Sequence, residues 1–123
     1  MATHPGGVST RQPKHFIQLK DSGKFQLYDF GKEGNQITYG QSWPPDYPLE
    51  KVDPMTPIHL FYSDGDHTVS SEDIPILASK LPRSVLHKIE KSKWDHSDFI
   101  IGNTVDEVLN LPIINIINEF EKN

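Results

Sequence analysis

His59-Leu60-Phe61-Tyr62-Ser63-Asp64-Gly65-Asp66 is an apolar run that breaks into a loop presenting carboxylates, and thirty residues beyond Asp66 the stretch Lys93-Trp94-Asp95-His96-Ser97-Asp98-Phe99 presents an imidazole. Ile58 to Tyr62 is short and nearly continuously apolar, the pattern of a strand buried in a parallel sheet. Ile74, Leu77, Ala78 and Leu81 then recur at helical spacing up to Pro82, and Val85 to Ile89 reads as the next strand. Ser70, Ser71 and Asp73 offer capping oxygens, and Pro75 places the helix start near Asp73. The outline is a βαβ unit with Asp66 at the tip of one strand and His96 just past the next.

Downstream, Asn103 with Asp106 three residues on predicts a capped short helix containing Val105, Val108 and Leu109. After Pro112, residues Ile113, Ile116, Ile117 and Phe120 fall at i, i+3, i+4 and i+7, which predicts an amphipathic C-terminal helix whose apolar face packs in the core rather than on lipid. The order strand, helix, strand, helix implies an α/β protein with a parallel sheet and right-handed crossovers. Upstream, prolines 44, 45, 48, 54 and 57 forbid regular helix and central strand between Gly40 and Pro57, leaving a long extended connector. Phe25 to Phe30 reads as an aromatic extended run, and Gly31-Lys32-Glu33-Gly34-Asn35 as a turn before Gln36 to Tyr39, so a hairpin or irregular extended pair is expected. Residues 4 to 8 read as loop. Ser9 or Thr10 then caps a helix with Pro13 in its first turn, with an apolar side of His15, Phe16, Ile17 and Leu19, ended by Asp21-Ser22-Gly23.

A chain of 123 residues holds one domain, and counting glycine about 42% of it is apolar against the usual ~45–50%, so the core is somewhat poor. A net charge of -5 offers no broad basic surface, which argues against a nucleic-acid partner. The absence of cysteine excludes disulfides, thiolate metal sites and a Cys nucleophile. Met1-Ala2-Thr3-His4-Pro5-Gly6-Gly7 lacks the apolar segment of a signal peptide, and no run approaches the ~20 apolar residues of a membrane span, so the chain as given is expected to stay in the cytoplasm.

Ligands and catalytic groups in parallel sheets gather outside the carboxyl ends of the strands, where Asp66 and His96 both fall. A carboxylate there would accept the imidazole N–H, hold its tautomer and stabilise the imidazolium formed when the ring takes a proton from a nucleophile. Asp64 competes with Asp66 for this role, and Asp98 is placed to orient the loop around His96. Asp64, Asp66 and His67 lack a further histidine at ligand spacing, so no metal site is expected. Asp29-Phe30-Gly31 matches a kinase triplet without its companion loops, and His4-Pro5-Gly6-Gly7 is a broken form of an oxyanion H-G-G-G motif. His15, His59 and His87 lie in predicted elements and read as structural.

Pro44-Pro45-Asp46-Tyr47-Pro48-Leu49, then Ile58 through Asp66, Leu81-Pro82 and Trp94-Asp95-His96-Ser97-Asp98-Phe99-Ile100 resemble, in that order, the C-terminal part of the acid lipase family. His4-Pro5-Gly6-Gly7, Ser22-Gly23-Lys24-Phe25-Gln26 and Tyr28-Asp29-Phe30-Gly31 resemble the segment leaving that family's cap. The resemblance implies the C-terminal portion of an α/β-hydrolase fold over 1–123, with 1–40 a remnant of the cap exit and 58–123 the last strand-helix units. It implies hydrolysis of triglyceride or cholesteryl esters by a Ser, Asp, His triad, with Asp66 matching the acid and His96 the base, and no cofactor. The family is secreted or lysosomal. Its nucleophile sits in a G-x-S-x-G elbow, and the glycines at 6, 7, 23, 31, 34, 40, 65 and 102 frame no such motif. The chain alone is therefore expected to be inactive. It is read either as part of a lipid-ester hydrolase whose partner is a complementary N-terminal lipase half, or as a non-enzymatic remnant binding lipid or protein. Two parallel strands make a small core, so marginal stability is expected.

Overall fold

Among residues 7–91 and 93–122, those the computed structural model describes, the chain divides into two units, Met1–Pro48 and Leu49–Asn123. The His4-Pro5-Gly6 part of the glycine motif and the loop expected before residue 7 lie outside the described residues.

In the N-terminal unit, α1 runs from Arg11 to Ser22, with Pro13 in the first turn and Gly23 at φ 63° closing it by an N–H bond to the Leu19 carbonyl. Ser9 Oγ accepts the Arg11 N–H at 3.4 Å, while Thr10 makes no side-chain cap. The helix is pinned to the following extended segment: Gln18 Nε2 donates to the Asp29 carbonyl at 2.8 Å and its Oε1 accepts the Asp29 N–H at 3.0 Å. The extended run expected over residues 25–30 is reduced to one isolated antiparallel bridge, Gln26 to Asp46, with Phe30 already turned out of the extended region at φ -90°, ψ 6°, and its partner is the proline connector. Leu27 N–H donates to the Pro45 carbonyl at 2.9 Å and Tyr47 N–H to the Phe25 carbonyl at 3.0 Å. Proline still offers a carbonyl, so it serves as the acceptor side of such a pair.

The expected turn and strand over residues 31–39 are instead a helix, α2, Gly31–Tyr39. The cause is a side-chain network that composition does not reveal. Asn35 is 1% exposed; its Oδ1 accepts the Phe30 N–H at 2.9 Å, and its Nδ2 donates to Asp29 Oδ1 at 2.7 Å and to the Ser42 carbonyl at 3.3 Å. Asp29 Oδ1 also accepts the Gly31 N–H at 2.8 Å, satisfying a donor at the helix start. Gly31 and Gly40, at φ 76° and 73°, turn the chain into and out of the helix, so these glycines punctuate its ends. Asn35→Ala leaves the Phe30 N–H and part of Asp29 without partners. We expect it to cost roughly 1–3 kcal/mol and to lower the helical circular-dichroism signal; unchanged melting would refute the account.

The C-terminal unit opens with a 3-10 turn, Leu49–Lys51, consistent with a connector barred from longer helix. Strand β1, Ile58–Tyr62, then pairs in parallel with β2, Ser84–Lys88, from Ile58 opposite Ser84 to Tyr62 opposite Lys88. Helix α3, Asp73–Lys80, makes the crossover. Ser70 Oγ accepts the Glu72 N–H at 3.2 Å just ahead of it, and Glu72 at the cap position makes no side-chain bond. A four-residue helix that the sequence pattern misses, α4, Asp98–Ile101, is too short to show a period. Asn103 does not cap the next helical turn: Val105 holds the cap position, Asp106–Asn110 form a π-helical turn, and Asp106 accepts from Asn110 Nδ2 at 2.8 Å. The turn runs into α5, Leu111–Phe120, which starts before Pro112 because proline is tolerated in a first turn. Together these elements make a small α/β arrangement.

Ile89, Trp94 and Leu109 are the buried core of this unit, with half-buried Phe61, Phe99, Val105, Val108 and Ile113 packed against them. The apolar face expected of α5 is only partly used, since Ile113 and Ile116 are half-buried while Ile117 and Phe120 are exposed. Among the described residues no helix is long and apolar enough to cross a membrane.

One face of the sheet carries a histidine pair, His59 Nδ1 and His87 Nε2 lying 2.8 Å apart, with the Phe61 ring stacked on His87 at 4.5 Å. One ring must donate and the other accept, so the bond requires at least one neutral imidazole. Burial first, and then the charge of His59, pull His87 below the ordinary 6.5. The unfolded chain therefore binds more protons than the folded one as pH falls through 6.5, and stability present above that pH is lost on acidification. We expect the urea midpoint to drop between pH 7 and pH 5, and His87→Asn to flatten that dependence. The lowered carboxylates Asp53, Asp64, Asp66 and Asp95 lose their contribution from about pH 5 downward, through 3.8, below this window.

Candidate active site

Chain direction in β1 and β2 sends the residues after both strands to the same end of the sheet, which is why two loops far apart in sequence meet. His96 Nδ1 lies 2.9 Å from Asp66 Oδ2. The other Asp66 oxygen accepts the N–H groups of Thr68 at 2.8 Å and Val69 at 2.9 Å, so the carboxylate is held from both sides. The Asp66 side chain is 8% exposed and that of His96 57%, a nearly covered carboxylate beside an accessible imidazole. Burial alone raises the Asp66 carboxyl; the His96 hydrogen bond, the Val69 and Thr68 N–H groups and the charge of His96 outweigh it, holding the group below 3.8 and ionised near neutrality. With the proton on Nδ1 facing Asp66, His96 Nε2 is left as an acceptor able to take a proton.

Asp64 is engaged elsewhere. Its Oδ2 pairs with Lys88 Nζ at 2.7 Å, and that lysine, ahead of a hydroxyl contact from Ser71, keeps Asp64 below 3.8. The structure thus brings Asp66, and not Asp64, to the imidazole. Asp98 Oδ2 accepts the Asp95 N–H at 2.8 Å, one residue ahead of His96. Asp95 Oδ1 in turn accepts the His96 N–H at 2.6 Å and the His67 N–H at 3.4 Å. Among the described residues no group of three or more His, Asp or Glu side chains is placed to hold a metal ion. Phe61, Val69, Ile74 and Phe99 line a shallow, mostly apolar pocket of about 170 Å³ that Asp66 and His96 also border.

Reading the sequence overlooks three residues of this site. Ser63, 1% exposed, donates from Oγ to the Trp94 carbonyl at 2.8 Å and accepts the Gly65 N–H at 3.0 Å. Gly65 lies so close to Trp94 that an added Cβ would stand 2.8 Å from its carbonyl oxygen. Trp94 is the buried floor below both loops. The available signal was a small hydroxyl residue and a glycine directly after a buried strand.

A carboxylate and an imidazole paired outside the carboxyl ends of parallel strands define a class, α/β proteins with an Asp–His pair at the sheet's carboxyl end. No family model matches the chain. Among curated proteins it is 37% identical over 114 residues to Lipase 3 of Drosophila melanogaster, an alignment covering 88% of this chain and 28% of that protein. It is 32% identical over 123 residues to the gastric triacylglycerol lipase of Homo sapiens, covering 99% and 30%. To the lysosomal acid lipase/cholesteryl ester hydrolase of Rattus norvegicus it is 36% identical over 102 residues, covering 81% and 25%. The chain belongs to the acid lipase family and corresponds to its C-terminal part, spanning less than a third of the length of these relatives.

Proposed function

We propose that this chain is the acid-and-base-bearing C-terminal portion of an α/β-hydrolase lipase that cleaves carboxylic esters of lipids. Asp66 is the triad acid and His96 the triad base. The 2.9 Å contact between them, with Asp66 buried and His96 open, carries this reading. In the reaction, His96 Nε2 takes the proton of a serine hydroxyl as it attacks the ester carbonyl, and later returns a proton to the departing alcohol oxygen. Asp66 holds the Nδ1–H tautomer and stabilises the transient imidazolium.

The serine and the donors that stabilise the tetrahedral oxyanion are supplied by sequence outside residues 1–123, since no G-x-S-x-G occurs within them. In this reading residues 1–40 are the exit of the cap and 58–123 the closing strand-helix units of the sheet. A division of the chain after Pro48 supports that partition. The exposed apolar side chains Ile100, Ile101, Ile117 and Phe120 support a core completed by the rest of a larger fold.

The test is to supply the missing portion. The full chain is mixed or co-expressed with the N-terminal part of a relative such as Lipase 3, and hydrolysis of a short-chain nitrophenyl ester and a triglyceride emulsion is followed. Esterase activity that requires both parts supports the proposal. Inactivity of a well-folded pair with retained binding favours a non-enzymatic binding module.

A further inference from the structure

The loops bearing Asp66 and His96 are joined at two places. At the open end, His96 Nδ1 meets Asp66 Oδ2 at 2.9 Å; at the buried end, Ser63 Oγ donates to the Trp94 carbonyl at 2.8 Å. Only Asp64 and Gly65 separate the two attachment residues on one side, and only Asp95 separates them on the other. So few backbone torsions lie in this closed circuit that a displacement at the buried end reaches the imidazole. Gly65 sits within the circuit against the Trp94 backbone, and the Ser63 hydroxyl also holds the Gly65 N–H at 3.0 Å. Ser63 is 1% exposed, so water cannot replace its hydroxyl without opening the site.

We propose that Ser63 is a positioning residue, whose buried hydroxyl, with the bare α-carbon of Gly65, sets the spacing between the Asp66 and His96 loops and thereby selects the Nδ1–H tautomer of His96. The proposal rests on the reading of Asp66 and His96 as acid and base, and it adds the device that holds them in reach. Which ring nitrogen of a neutral imidazole carries the proton follows from the hydrogen bond the ring makes. The Asp66 carboxylate can only accept near neutrality, so it draws the proton to Nδ1. A loop shift that lengthens this bond releases the ring to exchange the proton to Nε2, and the base is lost although every catalytic side chain is still present. Geometry at this scale matters, because a misplacement of about 1 Å can cost 10²-fold in rate.

The tautomer is read directly by nitrogen NMR of the full chain labelled at histidine, at pH 8, where it does not depend on ester turnover. In the native sequence the neutral His96 ring is expected to be mainly the Nδ1–H form. Asp66→Asn removes the acceptor and should abolish that preference. Ser63→Ala should reduce the Nδ1–H population at least twofold while the His59 and His87 signals, which report the folded sheet, stay in place. Gly65→Ala keeps the hydroxyl but forces the loops apart, and should reproduce the reduction by an independent route if Ser63→Ala fails to fold. Native tautomer ratios in the folded Ser63→Ala or Gly65→Ala chain, with Asp66→Asn still shifted, would overturn the clamp and leave the dyad standing. No change on Asp66→Asn would overturn the acid-base reading itself.

Discussion

Paired with an N-terminal lipase portion that supplies the serine, the chain is expected to support ester hydrolysis that falls about 10⁶-fold on His96→Ala and about 10⁴-fold on Asp66→Asn. The two losses differ for a physical reason. In the proposed roles, alanine at 96 removes the group that takes the serine proton, so the triad would cease to act as a unit. Asparagine at 66 retains the shape but can turn an N–H donor toward Nδ1, which favours the tautomer with its proton on the wrong nitrogen. The Asp66 carboxylate is suited to its task, since the N–H groups of Thr68 and Val69 and the imidazole hold it ionised despite burial. Initial rates on a nitrophenyl ester, with each variant at equal concentration of folded pair, decide the matter. Residues 1–123 alone should give no rate above buffer; turnover by them alone that His96→Ala abolishes would overturn the assignment of the nucleophile to other sequence. Equal rates for native and His96→Ala pairs would overturn the role given to His96.

Trp94→Ala is expected to abolish cooperative unfolding of the C-terminal unit. Trp94 is 4% exposed, and with Ile89 and Leu109 it is the buried core there, its ring edge-on to Phe99 at 6.1 Å between centroids. Truncating a buried aromatic costs about 3–5 kcal/mol, comparable to the whole stability of a marginal domain at the low end of ~5–15 kcal/mol. Its carbonyl also anchors the Ser63 bond, so collapse of the floor releases both loops. Trp94→Phe should be far milder. It keeps an aromatic ring against Phe99 and removes the Nε1–H, which is buried with no hydrogen-bond partner among the described residues. Thermal melts followed by far-ultraviolet circular dichroism test both; a cooperative transition in Trp94→Ala within a few degrees of the native chain would refute the assignment of the core.

The elements that the sequence discloses are those whose pattern is carried by local chemistry. Apolar runs at Ile58–Tyr62 and Val85–Ile89 matched β1 and β2 to within a residue, because a short continuous apolar run bounded by turn residues carries the strand signal, but the burial expected of them is only partly met, since β1 is half-buried and Val85, Leu86 and Lys88 of β2 are exposed. Helical spacing and proline bounds located α3 and α5, and five prolines ruled out long elements between Gly40 and Pro57. Residues 31–39 went the other way. Two glycines and an asparagine carry every turn signal, yet the Asn35 side chain bonds to Phe30, Asp29 and Ser42, groups that come within reach only when the helix forms. The same limit hid Ser63: a serine in a loop is ordinary until the Trp94 carbonyl is seen to accept its hydrogen bond.

Residue types and their spacing along one chain were enough to outline the parallel βαβ unit, a carboxylate loop followed by an imidazole loop, the absence of a G-x-S-x-G elbow and the family to which these residues belong. The resemblance matched Asp66 rather than Asp64, and the folded arrangement adds the geometry that separates the two carboxylates. Both follow β1 by a few residues, but the parallel register sends Asp64 to Lys88, the last residue of the neighbouring strand, and Asp66 beneath the His96 ring. That geometry depends on which loop atoms lie within about 3 Å of one another, a distance set by the pairing of strands and the closed circuit through Ser63 and Trp94.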